Sequence, residues 1–551
     1  MMHRRDFLAA SGAVSLSAAP AARRPNVLIV LLDDFGIGHC TPYSEGLKPE
    51  VLDPAYRAYL KSKKVPYEPE EALELSRRAM PVLNSLAKKG VVFNKAFSPS
   101  NLCAPSRAGI FTGQNPNRFG VYENIDFEKT GLPKGSMLVE RMQKTGYATA
   151  MIGKYHTGSR NLELRQKVWA KYGLSNPGGL AKLPTEQRLA AEKELRETGF
   201  EGSVIDAHHP LKYGFDYYFG YNHHQCPFYD SEQIWENRNY TGKQPEYNTH
   251  LFTNKAITFA KQARSLGKPF CIELALHAMH GPLKPQAPDP YFRPFASQSF
   301  ELQNFYGHVN AVDGAIARFR DAVGPEEWNN TLFVFIGDNG APVFLGTPPP
   351  GNGAHRGHKG SYFLGGIRVP MIVHWPAGIE KAQRLDALVS TLDVMPTALE
   401  AAGLAVPEVD GKSVLPLARG KAKKTREHLM LSGLHARAWG YTVETTIGWP
   451  ENQRRHEAPG AWVVTDGDYL LRFTGRLVPG LFRDAMDGVP AHYELYDLRE
   501  DPGETRDLTQ QLPGVVERLK KKYEAQAPSW PAPANWRRDR WAELMPGRAV
   551  Q

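Results

Sequence analysis

Four short apolar runs in this chain each end on residues that chemistry can use. That pattern limits the fold more than any other feature. Val27–Leu32 runs into Asp33-Asp34, and a weaker run from Tyr147 to Ile152 leads to Gly153-Lys154-Tyr155-His156. Phe270–Leu276 leads to His277-Ala278-Met279-His280, and Leu332–Ile336 to Gly337-Asp338-Asn339-Gly340. Runs of this length bounded by turn residues read as strands buried on both faces, as in a parallel sheet covered by helices. Helical spacing over Met80–Lys89, Leu138–Lys144 and Phe305–Phe319 supplies the alternation of a doubly wound α/β fold with a large, mostly parallel sheet. Open sheets of this kind bind ligands beyond the carboxyl ends of their strands. Ionisable residues at each of these ends therefore predict one shared site along one edge.

Two charged or polar stretches, near 43–78 and 161–202, read as insertions, and Thr185–Glu197 within the second reads as an exposed helix. Long insertions either shape a pocket or decorate the surface. After residue 424 the texture changes. Ala461–Val464 and Tyr469–Phe473 flank Thr465-Asp466-Gly467-Asp468, a hairpin signal. A strand near Glu494-Leu495-Tyr496 and a basic helix over Pro513–Gln526 follow. The expected organisation is a leader over 1–22, a catalytic α/β domain over 23–424, and a small antiparallel sheet with a helix over 425–551.

The leader is specific. Arg4-Arg5-Asp6-Phe7-Leu8, a short apolar stretch to Ala19 and the small-residue site Ala19-Pro20-Ala21 resemble a twin-arginine export signal, which predicts a periplasmic protein. No stretch is long and apolar enough to predict a membrane anchor. The net charge of +9 favours anionic partners. No dense Lys/Arg run interleaved with aromatics occurs, which argues against nucleic acid. Four cysteines, Cys40, Cys103, Cys226 and Cys271, are too few for a disulfide framework.

Asp33, Asp34, Asp338 and Asn339 are hard oxygen donors at two strand ends. Carboxylates brought this close need a cation or Arg/Lys to offset their repulsion. Oxygen ligation points to Ca²⁺ or Mg²⁺ rather than zinc. In Cys103-Ala104-Pro105-Ser106-Arg107, the proline suits the first turn of a helix. Cys103 would then stand at a helix N-terminus, where a free thiolate nucleophile and a buried apolar residue are both open readings.

Cys-x-Pro-Ser-Arg is the signature of type I, formylglycine-dependent sulfatases, and the resemblance runs through much of the chain. It extends over Ser100–Gly113, Pro25–Asp34, Gly153–His156, Gly337–Gly340, Lys359-Gly360-Ser361, Gly365–Pro370, Leu392–Thr397, Leu495–Leu498 and Asp501–Glu504. It implies an alkaline-phosphatase-like fold and the hydrolysis of sulfate monoesters, here from sulfated carbohydrates. It also implies that a formylglycine-generating enzyme converts Cys103 into an aldehyde, which is present as its hydrate. Asp33, Asp34, Asp338, Asn339 and the residue at Cys103 would hold Ca²⁺. Arg107 would orient the hydrate, Lys154 and Lys359 would bind sulfate oxygens, His156 would take a proton from the hydrate, and His280 would serve the leaving oxygen. His277, His355 and Arg356 are further substrate candidates, while the roles of His208, His209, His223, His224 and His358 stay open. The chain departs from the family pattern at Leu364, where many members have Glu, and at Tyr155, where many have Trp. Two other readings remain: a phosphodiesterase or phosphonate monoester hydrolase of the same superfamily, and a non-catalytic carbohydrate-binding homologue.

Overall fold

The computed structural model describes residues 23–433 and 460–531, apart from 55–56, 59–60, 62–63, 65–67, 128–130, 176, 343–347, 349, 479–480, 484, 487–488 and 491. The leader, 1–22, lies outside the described residues. The main sheet has ten strands. They are β1 (Asn26–Leu32), β2 (Val91–Phe97), β3 (Ala148–Lys154), β4 (Tyr217–Tyr221) and β5 (Trp235–Glu236). β6 (Asn239–Tyr240), β7 (Phe270–Leu276), β8 (Thr331–Gly337), β9 (Met371–His374) and β10 (Gln383–Ser390) complete the set. Their order is β10-β2-β9-β8-β1-β7-β3-β4-β5-β6. β8, β1, β7, β3 and β4 form a continuous parallel block. β9 runs against its neighbours β8 and β2, and β5 against β4 and β6, so the sheet is mixed but mostly parallel.

β1 lies within this block, and every one of its residues is buried. Leu28, Val30 and Leu32 pack into one layer with Phe305, Val309, Val312 and Ile316. Those four come from the Phe300–Val323 helix, which is longer than the apolar spacing predicted because Ser299 caps its start by accepting from the Leu302 N–H. Val27, Ile29 and Leu31 pack on the other face with Ala104, Ala108 and Phe111 of the Cys103–Thr112 helix. Strict alternation between two apolar layers is why the run has no polar gap.

Register aligns the working ends. Leu32 lies opposite both Gly337 and Leu276, and Gly153 opposite Ala275. The first residues beyond β1, β8 and β7 therefore emerge side by side, next to Lys154 on β3. Gly153 has φ +101°, and a Cβ built there would lie 1.9 Å from the Ala275 carbonyl oxygen. Only glycine lets β3 approach β7 at this point.

The second sheet is antiparallel and contains Leu429–Gly433, Gly460–Thr465, Tyr469–Val478 and His492–Asp497. The predicted hairpin turns at Gly467 (φ +92°). The predicted helix, Pro513–Gln526, lays Tyr523 flat on Trp462 with ring centroids 4.3 Å apart. In the second insertion, Leu162–Lys171 packs on Thr185–Glu197, and the latter buries only Ala191. No helix among the described residues is long and apolar enough to cross a membrane.

Replacing Gly153 with alanine should lower the unfolding free energy by more than about 2 kcal/mol, because neither the left-handed φ nor the backbone contact can relax cheaply. Denaturant unfolding of Gly153→Ala beside the parent chain measures this. An unchanged midpoint would show that β3 and β7 separate freely.

Candidate active site

The ends of β1 and β3 deliver their side chains at an abrupt change of backbone direction. Asp34 follows β1 with φ +58°, and His156 follows β3 with φ +53°. Left-handed backbone is uncommon for residues other than glycine, and it persists where surrounding bonds hold it. The Asp34 N–H donates to Asp338 Oδ1 at 3.0 Å, which ties the end of β1 to the end of β8.

The carboxylates meet three buried cations. Lys154 Nζ lies 2.6 Å from Asp33 Oδ2. Lys359 Nζ lies 2.7 Å from Asp34 Oδ1 and 2.8 Å from Oδ2. Arg107 directs Nη2 and Nε to Asp338 Oδ2, at 2.9 and 3.2 Å, and donates from Nη1 to the Lys154 carbonyl at 2.8 Å. Arg107, Lys154, Asp33 and Asp338 are all 0% exposed. Burial would raise Asp34, but Lys359, His280 and Lys154 outweigh it and hold its carboxyl well below the usual range. Asp338 behaves oppositely: burial, then repulsion from Asp33, pushes it up to about 6 against the pull of Arg107.

Two oxygens in this cluster, Asp33 Oδ1 and Asn339 Oδ1, are buried with no hydrogen-bond partner among the described residues. Orphaned buried acceptors are rare and call for a partner. One potential ligand atom from each of Asp33, Asp34, Cys103 and His280 lies within 4.8 Å of the others. Asn339 donates its Nδ2 to Asp34 Oδ1 at 2.8 Å, and this orientation leaves its Oδ1 free to face a cation. The residues present therefore fit a hard divalent ion.

Cys103 opens the Cys103–Thr112 helix, with Pro105 in its first turn as the spacing predicts. Its Sγ is 3.9 Å from Asp34 Oδ1. Burial pushes the thiol up to about 12, further than Lys154 and Lys359 pull it down, so the unmodified residue is a poor thiolate nucleophile. Cys40, Cys226 and Cys271 are free thiols buried in the apolar layers on the two faces of the sheet.

The histidines divide by position. His280 holds the Gly281 carbonyl with Nδ1 at 2.8 Å and sets Nε2 3.7 Å from Asp34. Burial and Lys359 push it down to about 3. His156 has a buried Nδ1 with no partner among the described residues, and burial, then Lys154 and Arg107, hold the ring neutral. His277 is 1% exposed, with Nδ1 3.0 Å from the Tyr221 hydroxyl and 3.9 Å from Asp33. His355 and Arg356 contact the C-terminal segment instead, through the carbonyls of Pro502 and Glu504. His208 and His209 bond Ser159 and Asn237, and His358 bonds the Lys359 carbonyl. His224 stands exposed at the mouth, its carbonyl 2.6 Å from Lys154 Nζ.

Over residues 25–404 the chain matches the family model described as Sulfatase. It belongs to the sulfatase family. It is 28% identical over 474 residues to the sulfatase YdeN of Escherichia coli, covering 82% of this chain and 78% of that one. It is 26% identical over 441 residues to the N-acetylgalactosamine-6-sulfatase of Canis lupus familiaris, with 74% and 68% covered. The crystal structure of Ps i-CgsB in complex with k-i-k-neocarrahexaose shares the fold with TM-score 0.66 at 20% identity, covering 95% of this chain and 98% of that one. BT4656 in complex with its substrate D-glucosamine-2-N,6-O-disulfate gives TM-score 0.57 at 18% identity, with 92% and 99% covered.

This sulfatase, an enzyme for sulfate ester hydrolysis, gathers Cys103, Arg107, Lys154, His156, His280, Lys359, Asp33, Asp34, Asp338 and Asn339 around one strand-end edge. Sequence reasoning missed Ser98, whose Oγ donates to the Asp338 carbonyl and shares a hydrogen bond with Ser106 Oγ at 2.7 Å. It also missed Tyr221 behind His277, and Glu273, which lies within β7 and is 3% exposed.

Burial pushes Glu273 up to about 8, more than Arg107 lowers it. The folded state therefore keeps a proton that the unfolded chain releases near its ordinary value of 4.5, so this group erodes stability as pH rises from 4.5 through 8. Glu273→Gln should be more stable than the parent at pH 8, by on the order of 3 kcal/mol, with the gain vanishing below the unfolded value. Urea unfolding across pH checks this, and a gain independent of pH would refute the ionisation argument.

Proposed function

We propose that this sulfatase releases sulfate from sulfated carbohydrates using a formylglycine made from Cys103 and a bound Ca²⁺ ion, with Mg²⁺ the alternative. The observation that carries the reading is the orphaned pair Asp33 Oδ1 and Asn339 Oδ1 in the cluster where Cys103 Sγ approaches Asp34 Oδ1 and two lysines already stand. Bound together, a hydrated formylglycine and the cation supply an oxygen nucleophile for sulfur and a second hydroxyl through which sulfate can leave.

The chain's own residues account for the rest. A sulfate ester carries its charge on three equivalent oxygens, so cations must surround it. Lys154 and Lys359 each hold a carboxylate at hydrogen-bond distance, and a cation taking over those carboxylates would leave both ammonium groups to sulfate. Arg107 fixes Asp338 and the end of β3. Nδ1 of His280 is committed to Gly281, so Nε2 is the atom that can give a proton to the leaving oxygen. Burial and Lys359 disfavour that proton, and the negative charge of a bound sulfate would favour it. His156 leaves Nδ1 unpartnered and so open to a proton, and as for His280 the negative charge of a bound sulfate would offset the burial and the cations that oppose its charging.

The carbohydrate part draws on the relatives. The chain resembles an N-acetylgalactosamine-6-sulfatase and shares its fold with a structure that holds D-glucosamine-2-N,6-O-disulfate. Export through the Arg4-Arg5 leader and the division at residue 424 belong to the same reading. A twin-arginine route carries folded protein, so a formylglycine-generating enzyme would act on Cys103 before export.

Mass spectrometry of the peptide containing residue 103 should show a loss of about 18 Da relative to the thiol, the stoichiometry of converting a thiol to an aldehyde. An unmodified thiol throughout active enzyme would overturn the mechanism. Cys103→Ser should lower kcat by about three orders of magnitude or more, because serine offers no second hydroxyl. Chelation should lower the melting temperature by several degrees and added Ca²⁺ should restore it, since an ion that binds only the native state stabilises it by mass action. A melting temperature indifferent to chelator and ion would remove the metal from the reading. Parallel assays on a sulfate monoester and a phosphodiester discriminate the rival hydrolase, and faster phosphodiester turnover would displace the proposal.

A further inference from the structure

The second insertion sends a charged group to the mouth of the site. Arg160, just before the insertion, sets its guanidinium over Phe200 at 5.1 Å and donates from Nη1 to Glu201 Oε2 at 2.8 Å. His223 Nε2 lies 3.1 Å from the same oxygen, while its Nδ1 faces the Gln225 carbonyl at 3.2 Å. Both ring nitrogens face acceptors, and the neutral ring donates its single N–H to one of them. The His223 ring lies 3.9 Å from that of His224, and the His224 ring lies 6.3 Å from that of His280. The His224 carbonyl anchors Lys154, so a continuous row runs from the reacting centre to the insertion: Lys154 and His280, His224, His223, Glu201.

The row is buried at the reacting centre and open at His224 and Glu201, with His223 between them 12% exposed. The Lys154 side chain is 0% exposed and that of His280 9%, whereas Glu201 reaches 32% and His224 is exposed. The buried end suits a sulfate group and the open end suits whatever the sulfate is attached to. No hydrogen bond to a ring nitrogen of His224 is present among the described residues, and Oε1 of Glu201 takes neither of the contacts made by Oε2. A carboxylate oxygen and an imidazole nitrogen facing solvent accept and donate hydrogen bonds to hydroxyls, and a carboxylate disfavours a second anion beside it.

We propose that Glu201 and His224, held by Arg160 and His223, form the subsite for the sugar hydroxyls that flank the scissile sulfate. The inference rests on the carbohydrate reading above and adds the residues that select the alcohol half. It also gives the second insertion a role in the pocket rather than on the surface alone.

The test compares kcat/KM on a monosulfated sugar with kcat/KM on an aryl sulfate, for the metal-loaded parent enzyme and for Glu201→Gln and His224→Ala. The sugar-to-aryl ratio should fall at least about tenfold in each variant, the loss expected for a hydrogen bond to a charged or imidazole partner. With a deoxy sugar sulfate lacking the neighbouring hydroxyl, the Glu201→Gln loss should disappear, because the variant and the substrate delete the same contact. An unchanged ratio, equal losses on both substrates, or a loss that persists on the deoxy sugar would overturn the proposal. Should Glu201→Gln fail to fold, His224→Ala carries the test, since its ring is exposed. A parent enzyme that turns over aryl sulfate but no sulfated sugar would overturn the carbohydrate reading, and this subsite with it. Sugar turnover by the parent with an unaltered ratio in both variants would overturn only the subsite.

Discussion

Three carboxylates that the sheet topology forces together must be neutralised, and the rest of the structure follows from how that is done. Register places Asp33 beside Asp338, and Asp34 is drawn back against Asp338 by its own N–H. Buried carboxylates left alone would take up protons or open the fold. Arg107, Lys154 and Lys359 answer them one for one, and each comes from a different part of the chain. The balance leaves these six side chains with no net charge. A divalent cation added to them creates a positive excess that only an anion can satisfy. A site arranged this way attracts sulfate electrostatically, and the single negative charge of a bound sulfate monoester offsets part of that excess. The rise of Asp338 to about 6 fits the same account, since Arg107 and Lys154 do not fully quench its burial and its repulsion from Asp33 and Asp34.

The rest of the fold holds those cations in place. Arg107 is fixed because its helix buries Ala104, Ala108 and Phe111 against the sheet and because its guanidinium spans to the Lys154 carbonyl. Lys359 lies in the segment before Leu364–Ile367, and the C-terminal sheet braces that segment. Glu504 accepts the Leu364 N–H at 2.7 Å, and Arg472 lies over the Phe363 ring at 3.6 Å. The antiparallel sheet therefore contributes to chemistry without supplying a reacting group: it limits how far the loop carrying Lys359 can move.

Much of this is legible in the sequence because strand-end chemistry is local. An apolar run and the residues that follow it declare themselves together, so their place in the chain is enough to assign Asp33, Asp34, His280, Asp338 and Asn339 to one edge. The hairpin around Gly467 and the Pro513–Gln526 helix are readable for the same reason. Where pairing is non-local, the reading stops. Nothing in Met371–His374 says that it inserts antiparallel between β8 and β2, and the two-residue strands Trp235–Glu236 and Asn239–Tyr240 carry no pattern at all. Glu273 interrupts an apolar strand without a motif to mark it. Glu201 sits in a polar insertion where any acidic residue looks like solvated surface. The histidine pair His223-His224 is visible, but its place is not, because that depends on where β4 ends rather than on its neighbours in sequence.

The gradient of burial across the site separates two kinds of constraint. The groups proposed to face sulfate are packed in the interior, where removing one partner of an ion pair strands the other and costs several kcal/mol. The groups proposed to face the alcohol lie nearer solvent, and a half-buried pair such as Arg160 with Glu201 contributes less to stability than a fully buried one. On the proposed reading, substitution at the rim changes which alcohol half is held without endangering the fold, while substitution at the centre cannot change the reacting group without endangering both. A fold divided this way confines variation in substrate to inserted segments and keeps the reaction itself on the strand ends, where the sheet leaves it no freedom to drift.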